Sequence, residues 1–268
     1  METLPSGDYF GQGDITKTYR GLLLGRYWYT TPNTGWHYHE NPYFMFVLAG
    51  SMINGTKKGK TFCPVGSLMF NNSQEAHYGA MTSPRGRGFQ VEFKKEWLQL
   101  LGGDVGLFEG SQLVSHPHVH LLFAKLYHEF MTDDDYSPLT IETSVLQISE
   151  LLGTVKISTS RHPPPWLSKL KELLHYDTAQ LDLTYLSQQL GVHPVHLSRS
   201  VHKYLTVSLG EYRRQLKLQR ALPLLLNSPQ NLTQIAYHCD FADQSHFNRV
   251  FKRFFGVAPG QYRKQLRG

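Results

Sequence analysis

The sequence predicts a multidomain chain of mixed α and β type. It has an N-terminal β-barrel, then a helix pair, then a C-terminal all-α domain with two helix-turn-helix units. Three observations carry this. A stretch within the last hundred residues occurs twice, the hydrophobic period lengthens near residue 116, and the net charge changes sign near the consecutive prolines Pro163, Pro164 and Pro165.

The repeat is the firmest of the three. Leu183–Leu216 and Leu232–Leu266 read as versions of each other. From Arg199 onward they align at a constant offset of 50, with Arg199 on Arg249, Gly210 on Gly260, Tyr212 on Tyr262 and Leu216 on Leu266. Upstream the offset is 49, so the second copy holds one extra residue near Ala242–Asp243. A repeat of this size points to a duplicated module.

Apolar residues make up 40 % of the 268 and charged residues 18 %, enough to bury real cores. Residues 1–160 carry 12 basic and 15 acidic side chains, whereas 161–268 carry 15 basic and 6 acidic. That asymmetry predicts a C-terminal part that meets a polyanion. Cys63 and Cys239 stand far apart, which excludes a disulfide framework and a cysteine metal cluster and suits a reducing compartment. The start METLPSGDYFGQG has no signal-peptide pattern, and no apolar run reaches the roughly 18 residues of a membrane span. A soluble, cytoplasmic protein with no membrane partner is expected.

Short strands are expected from residue 15 to about 95. Tyr43–Leu48 (YFMFVL) is continuously apolar and short, as in a strand covered on both faces. Asn54–Gly55 is a hairpin signal. Phe89, Val91 and Phe93 alternate with polar residues, the pattern of a half-buried strand. Gly and Pro turns between such strands predict a small sandwich or barrel over 1–115.

A helical stripe then appears at Val119, Leu122, Phe123, Leu126, Tyr127 and Phe130. A second follows at Ile141, Val145, Ile148, Leu152 and Val155. These predict a helix pair over 116–155, read as a dimerisation element in preference to packing on its own barrel. The Pro-rich stretch 156–165 is the expected linker, and 166–268 is the helical domain.

In the first copy, Asp182 can cap a helix from Leu183 to Leu190, Gly191 supplies the positive φ that ends it, and Pro194 opens the next. Asn231 plays the capping role in the second copy. Helix, tight turn and helix is the layout of a helix-turn-helix. The second helices turn outward Val195, His196, Ser198, Arg199 and Lys203 in one copy. In the other they turn outward Gln244, Ser245, His246, Asn248, Arg249, Lys252 and Arg253. Arg reads guanine bidentately, Asn and Gln read adenine, and later Lys and Arg suit phosphates. Double-stranded DNA is the partner these residue types predict. The segment between the copies, Ser208 to about Leu226, would form a rod of roughly 28 Å, with Pro223 expected to end or kink it.

Segment 166–268 resembles the DNA-binding domain of the AraC/XylS family of bacterial transcription regulators. The resemblance lies in Ile235, Ala236, Asp240 and Phe241, in S-x-F-x-R-x-F-K-R-x-F-G from Ser245 to Gly256, in Pro259, Tyr262 and Arg263, and in Leu190–Arg199. It implies a seven-helix domain whose two units enter neighbouring major grooves, a homodimer, and contact with RNA polymerase if the protein activates. Asp240 replaces a usual Gly, Thr206 another Gly, and His193 a Ser that often caps the helix.

His37, His39 and His77 form a possible metal-ligand constellation: two from one strand and a third from a neighbour. They also resemble the motifs of the cupin barrel, which implies a cupin-like sensor domain. The acidic ligand expected after the second His is absent, because Tyr43 and Phe44 occupy its positions and Glu40 points to the opposite face. The reading preferred to a metal is a small organic effector bound at a mouth of Trp36, His37, His39, Tyr43 and His77, with no cofactor. The protein is thus expected to be a sequence-specific, effector-controlled transcription regulator and not an enzyme. The alternatives are a cupin metalloenzyme with an appended DNA-binding domain, or an effector-independent activator. Gly55–Thr61 imitates a P-loop with one residue too few between its glycines. The run 116–120 (HPHVH) starts a helix, where alternate residues do not share a face.

Overall fold

The computed structural model describes residues 1–100, 110–160, 164–176, 182–205 and 207–267. They fall into two compact units: 1–116 with 123–144, and 117–122 with 145–268. The division runs through the helical segment and not through the Pro-rich stretch.

The first unit is built on two β-sheets. One has the order β1 (Glu2–Leu4), β4 (His37–His39), β9 (His77–Met81), β6 (Met52–Thr56) and β7 (Gly59–Cys63). The other has the order β11 (Gln112–Leu113), β8 (Leu68–Asn71), β5 (Tyr43–Ala49), β10 (Gly86–Phe93), β3 (Leu22–Tyr29) and β2 (Gln12–Tyr19). Strand alternation divides YFMFVL between two cores. Tyr43, Met45 and Val47 pack with Tyr27, Tyr29, Cys63 and Met69 between the sheets. Phe44, on the opposite face, meets Phe123 of α2 (Pro117–Thr132) at 4.9 Å between ring centroids. Phe89 on the neighbouring strand meets Tyr127 and Phe130 at 5.2 and 5.1 Å. The short helix α1 (Lys95–Leu100) follows β10.

Two local expectations are overturned. Asn54–Gly55 is no turn, because both lie inside β6, paired with Thr61 and Lys60, and the chain reverses after Thr56. Asn54 is buried and donates its amide to Asn71 Oδ1 at 3.1 Å. Gly55 sits opposite Tyr78, and a Cβ there would run into the Tyr78 ring. The Asn-Gly pair serves cross-strand packing and not reversal. The strand β10 is buried on both faces. Gln90 bonds the Tyr29 hydroxyl. Glu92 accepts from the Tyr9 hydroxyl, from Gly7 N at 3.0 Å and from Asn41 Nδ2 at 2.9 Å. Hydrogen bonding is what allows a carboxylate to sit at such a position.

The helix pair is present as α2 and α3 (Ser137–Ser160). Contrary to the dimerisation reading of both helices, α2 lays its aromatic face on its own sheet. Ile141, Val145, Ile148 and Leu152 of α3 are buried, as the stripe predicts, and Val155 lies outside the described side chains. α3 continues into the expected linker as far as Ser160 because nothing breaks its backbone ladder before the prolines.

Beyond its shares of α2 and α3, the second unit holds seven helices among the described residues: α4 (Trp166–Tyr176), α5 (Leu183–Leu190), α6 (Pro194–Leu205), α7 (Leu209–Asn227), α8 (Leu232–His238), α9 (Gln244–Phe255) and α10 (Pro259–Arg267). Leu186, Leu197, Val201 and Tyr212 help form the first core. Phe251 joins Phe247, Phe255 and Tyr262 in the second, with centroids 5.7, 4.3 and 5.2 Å away. Pro223 lies inside α7, which runs on to Asn227 instead of stopping. With no N–H, Pro223 cannot make the ladder bond to the carbonyl four residues back. No helix among the described residues is long and apolar enough to cross a membrane.

Candidate functional site

Two sites emerge, one in each unit. In the first, His37 and His39 share a face of β4 by the two-residue period. Antiparallel register sets His77 of β9 directly opposite His37. All three are buried, and one ligating atom from each lies within 4.8 Å of the others. Ring centroids are 4.5 Å apart for His37–His77, 5.0 Å for His37–His39 and 5.2 Å for the stacked His39–His77 pair. Tyr43 Oη lies 3.3 Å from His77 Nε2. His37 Nδ1 is 2.9 Å from the Gly35 carbonyl, and His77 Nδ1 is 3.4 Å from that of Glu75.

Burial dominates the electrostatics of this cluster. Desolvation, reinforced by the two neighbouring imidazoles, drives His39 down to about 2. Desolvation and the nearby His37 bring His77 to about 4 against the small opposing pull of Glu75, and desolvation also lowers His37. The rings are therefore neutral at neutral pH, each with a nitrogen lone pair. Tyr43 is pushed far up, by burial first and Glu92 second, and keeps its proton.

These side chains open on a cavity of about 40 Å³, room for a few water-sized groups at roughly 10–15 Å³ each. No Asp, Glu, Lys or Arg lines it among the described residues. His37, His39, Tyr43 and His77 converge there as the sequence suggests. Trp36 does not: it precedes His37, so alternation sends it to the outer face, half-exposed and 5.0 Å edge-on to Tyr78. Glu40 is also exposed and accepts from Ser6 N at 3.1 Å. The sequence reading misses Tyr9, which stacks on His39 at 5.3 Å, and the buried Asn54–Asn71 pair. No local pattern marks them, since other strands deliver them.

In the second unit the two helix-turn-helix units form through matching caps. Asp182 accepts from Tyr185 N at 2.7 Å. Asn231 and Gln234 make a reciprocal capping box, and Asp243 caps α9 through His246 N at 2.7 Å. The turns also match. Gly191 has φ 63° and Asp240 φ 60°, and each precedes the same closing bond: Val192 N to Ser187 O at 3.0 Å, and Phe241 N to Ala236 O at 2.9 Å. Thr206 lies outside the described residues.

On α6, Val195, His196, Ser198, Arg199 and Lys203 are all exposed. On α9, Ser245, Arg249, Lys252 and Arg253 are exposed at helical spacing, with no carboxylate between them. The other three residues sit deeper. Gln244 Oε1 accepts from Thr233 Oγ1 at 2.5 Å, and His246 packs edge-on to Phe241 at 5.5 Å. Asn248 buries its side-chain oxygen without a hydrogen-bond partner among the described residues. The motif residues Tyr262 and Arg263 are structural: Tyr262 is buried, and Arg263 donates to the Gln230 carbonyl at 2.8 Å.

Residues 186–265, spanning α5 to α10, match the family model described as "Helix-turn-helix domain". The chain is 31 % identical over 102 residues to the HTH-type transcriptional regulator GlxA of Rhizobium meliloti (strain 1021), covering 38 % of this chain but only 32 % of that protein. It is 26 % identical over 209 residues to the Arabinose operon regulatory protein of Escherichia coli (strain K12), covering 73 % of this chain and 70 % of the relative. Its counterpart in Salmonella typhimurium is 25 % identical over 230 residues, 81 % of each. A solved structure of ToxT from Vibrio cholerae aligns over 92 % of this chain and 100 % of that one at 14 % identity. Its TM-score is 0.38. With two capped helix-turn-helix units and exposed basic helices, residues 186–265 form a helix-turn-helix domain, and the chain is similar to the arabinose operon regulatory proteins.

Proposed function

We infer that the protein binds an asymmetric DNA site through α6 and α9 and is controlled by a small ligand in the barrel pocket. One observation carries the DNA reading. Both repeats expose, on the second helix of a capped turn, an Arg at the same repeat position (Arg199 and Arg249) amid short polar side chains. Arg at such a place reads guanine, and Lys203, Lys252 and Arg253 one turn further suit phosphates. The first helix offers Val195 and Ser198 beside its Arg, the second Ser245 with the half-buried Gln244 and Asn248. The two half-sequences therefore differ.

The ligand reading is supported by the pocket at His39, which no charged side chain lines among the described residues. Assembly as a homodimer is assigned to α3, where Leu139 and Leu146, two helical turns apart, are exposed beyond Tyr136. RNA polymerase is the further partner if the outcome is activation, and the cytoplasm is the expected compartment. The test is a gel shift on a selected operator. The Arg199→Ala, Arg249→Ala double variant should lose specific binding, and unchanged specific affinity would overturn the assignment.

A further inference from the structure

We propose that Thr233 is a positioning residue for base readout: its hydroxyl fixes the polarity of the Gln244 amide, so that Gln244 reads adenine on one particular strand of the DNA site. This rests on reading α9 as a recognition helix, and it adds a residue of α8 to the determinants of sequence preference.

Thr233 is the second residue of α8 and Gln244 the first of α9, so the two helices of one unit meet at this pair. Thr233 Oγ1 donates to Gln244 Oε1 at 2.5 Å. Such a separation suits an O–H···O bond, at roughly 2.5–3.0 Å, and is too short for N–H···O, at roughly 2.7–3.2 Å. The amide therefore turns its oxygen, not its nitrogen, toward α8. Both N–H donors and the second lone pair of the oxygen stay free. Adenine in the major groove asks for one donor, to N7, and one acceptor, for the N6 amino group. A glutamine held this way supplies both in a fixed order. The order matters because A·T and T·A present their groups in opposite sequence across the groove. A free amide can exchange its two ends and fit either pair.

The bond carries little of the fold. Thr233 is exposed, and α8 is capped without it by Asn231 and Gln234. Gln244 is half-buried, and α9 is capped by Asp243. The repeat confines the device to one unit. Thr184 stands in the first copy where Thr233 stands in the second, but α6 begins with Pro194, which has no amide to orient. The first half-sequence should therefore hold no adenine read in this way.

The test uses the full chain and an operator selected from a random duplex pool. All four base pairs are then placed at every position, and affinities are read by fluorescence anisotropy. The wild-type chain should prefer adenine at one position of the second half-sequence, by roughly 5- to 150-fold. Gln244→Ala should abolish that preference and leave the others. Thr233→Val keeps the shape without the hydroxyl and should reduce the preference about fivefold, chiefly by admitting T·A. Thr233→Ser should retain it. Thr233→Val added to Gln244→Ala should change nothing further, with melting curves checking that each variant folds. A Thr233→Val variant that keeps the full A·T over T·A preference, or that weakens every sequence alike, overturns the positioning role. Preference for another base at the Gln244 position overturns the adenine assignment. A neutral Gln244→Ala in a chain that still selects an operator removes this inference alone. A chain that selects no sequence overturns the DNA reading and this inference with it.

Discussion

Asp240 holds in the second helix-turn-helix the left-handed backbone that Gly191 holds in the first, at φ 60° against 63°. A glycine adopts that conformation without cost, whereas an L side chain there costs up to about 1–2 kcal/mol, least for Asp and Asn. Two residues of α7 hold it in place. Lys217 donates to the Asp240 carbonyl, and Arg220 Nη1 lies 3.4 Å from its carboxylate. Lys217 also sits over the Phe241 ring at 5.8 Å. The rod between the two units thereby grips the turn that aims the second recognition helix.

Asp240→Gly exchanges backbone relief for a half-exposed ion pair worth roughly 0.2–1 kcal/mol. Stability should change by less than about 0.5 kcal/mol. Asp240→Ala loses both and should cost about 1–2 kcal/mol. Urea denaturation of the two variants separates the contributions.

Single Arg199→Ala and Arg249→Ala variants should each lose about 1–3 kcal/mol of specific binding and relax preference at one position of their half-sequence. Lys252→Ala should weaken specific and non-specific DNA alike and lower the salt dependence by about one contact. Gel shifts at several salt concentrations, with operator and scrambled duplexes, distinguish the two behaviours.

Gly55→Ala should destabilise the barrel by about 1–3 kcal/mol, the usual range for overpacking. Most of that penalty should vanish in a Tyr78→Ala background, where the ring it strikes is gone. Thermal melts of the four-member cycle measure the coupling.

Leu139→Glu with Leu146→Glu places charges on the exposed stripe of α3 while leaving the buried Ile141, Val145 and Ile148 untouched. Sedimentation should shift from dimer to monomer with an unaltered circular dichroism spectrum. A dimer that persists would remove α3 as the interface.

The sequence by itself determined the features that short-range physics controls. Caps at Asp182 and Asn231, the left-handed turn at Gly191 and the tolerance of Asp240 for the same geometry act over a few residues, and all appear. The two-residue period was enough to put His37 and His39 on one face and to cover both sides of YFMFVL. The tertiary structure decided register and burial. It set His77 opposite His37, buried Gln90 and Glu92, and kept Asn54–Gly55 inside a strand. It also committed α2 to its own sheet, where a helical stripe alone could equally have faced a partner. The physical reason is common to all of these. A cap or a period is satisfied within a single element, whereas register and burial depend on which distant strand or helix arrives to complete the packing.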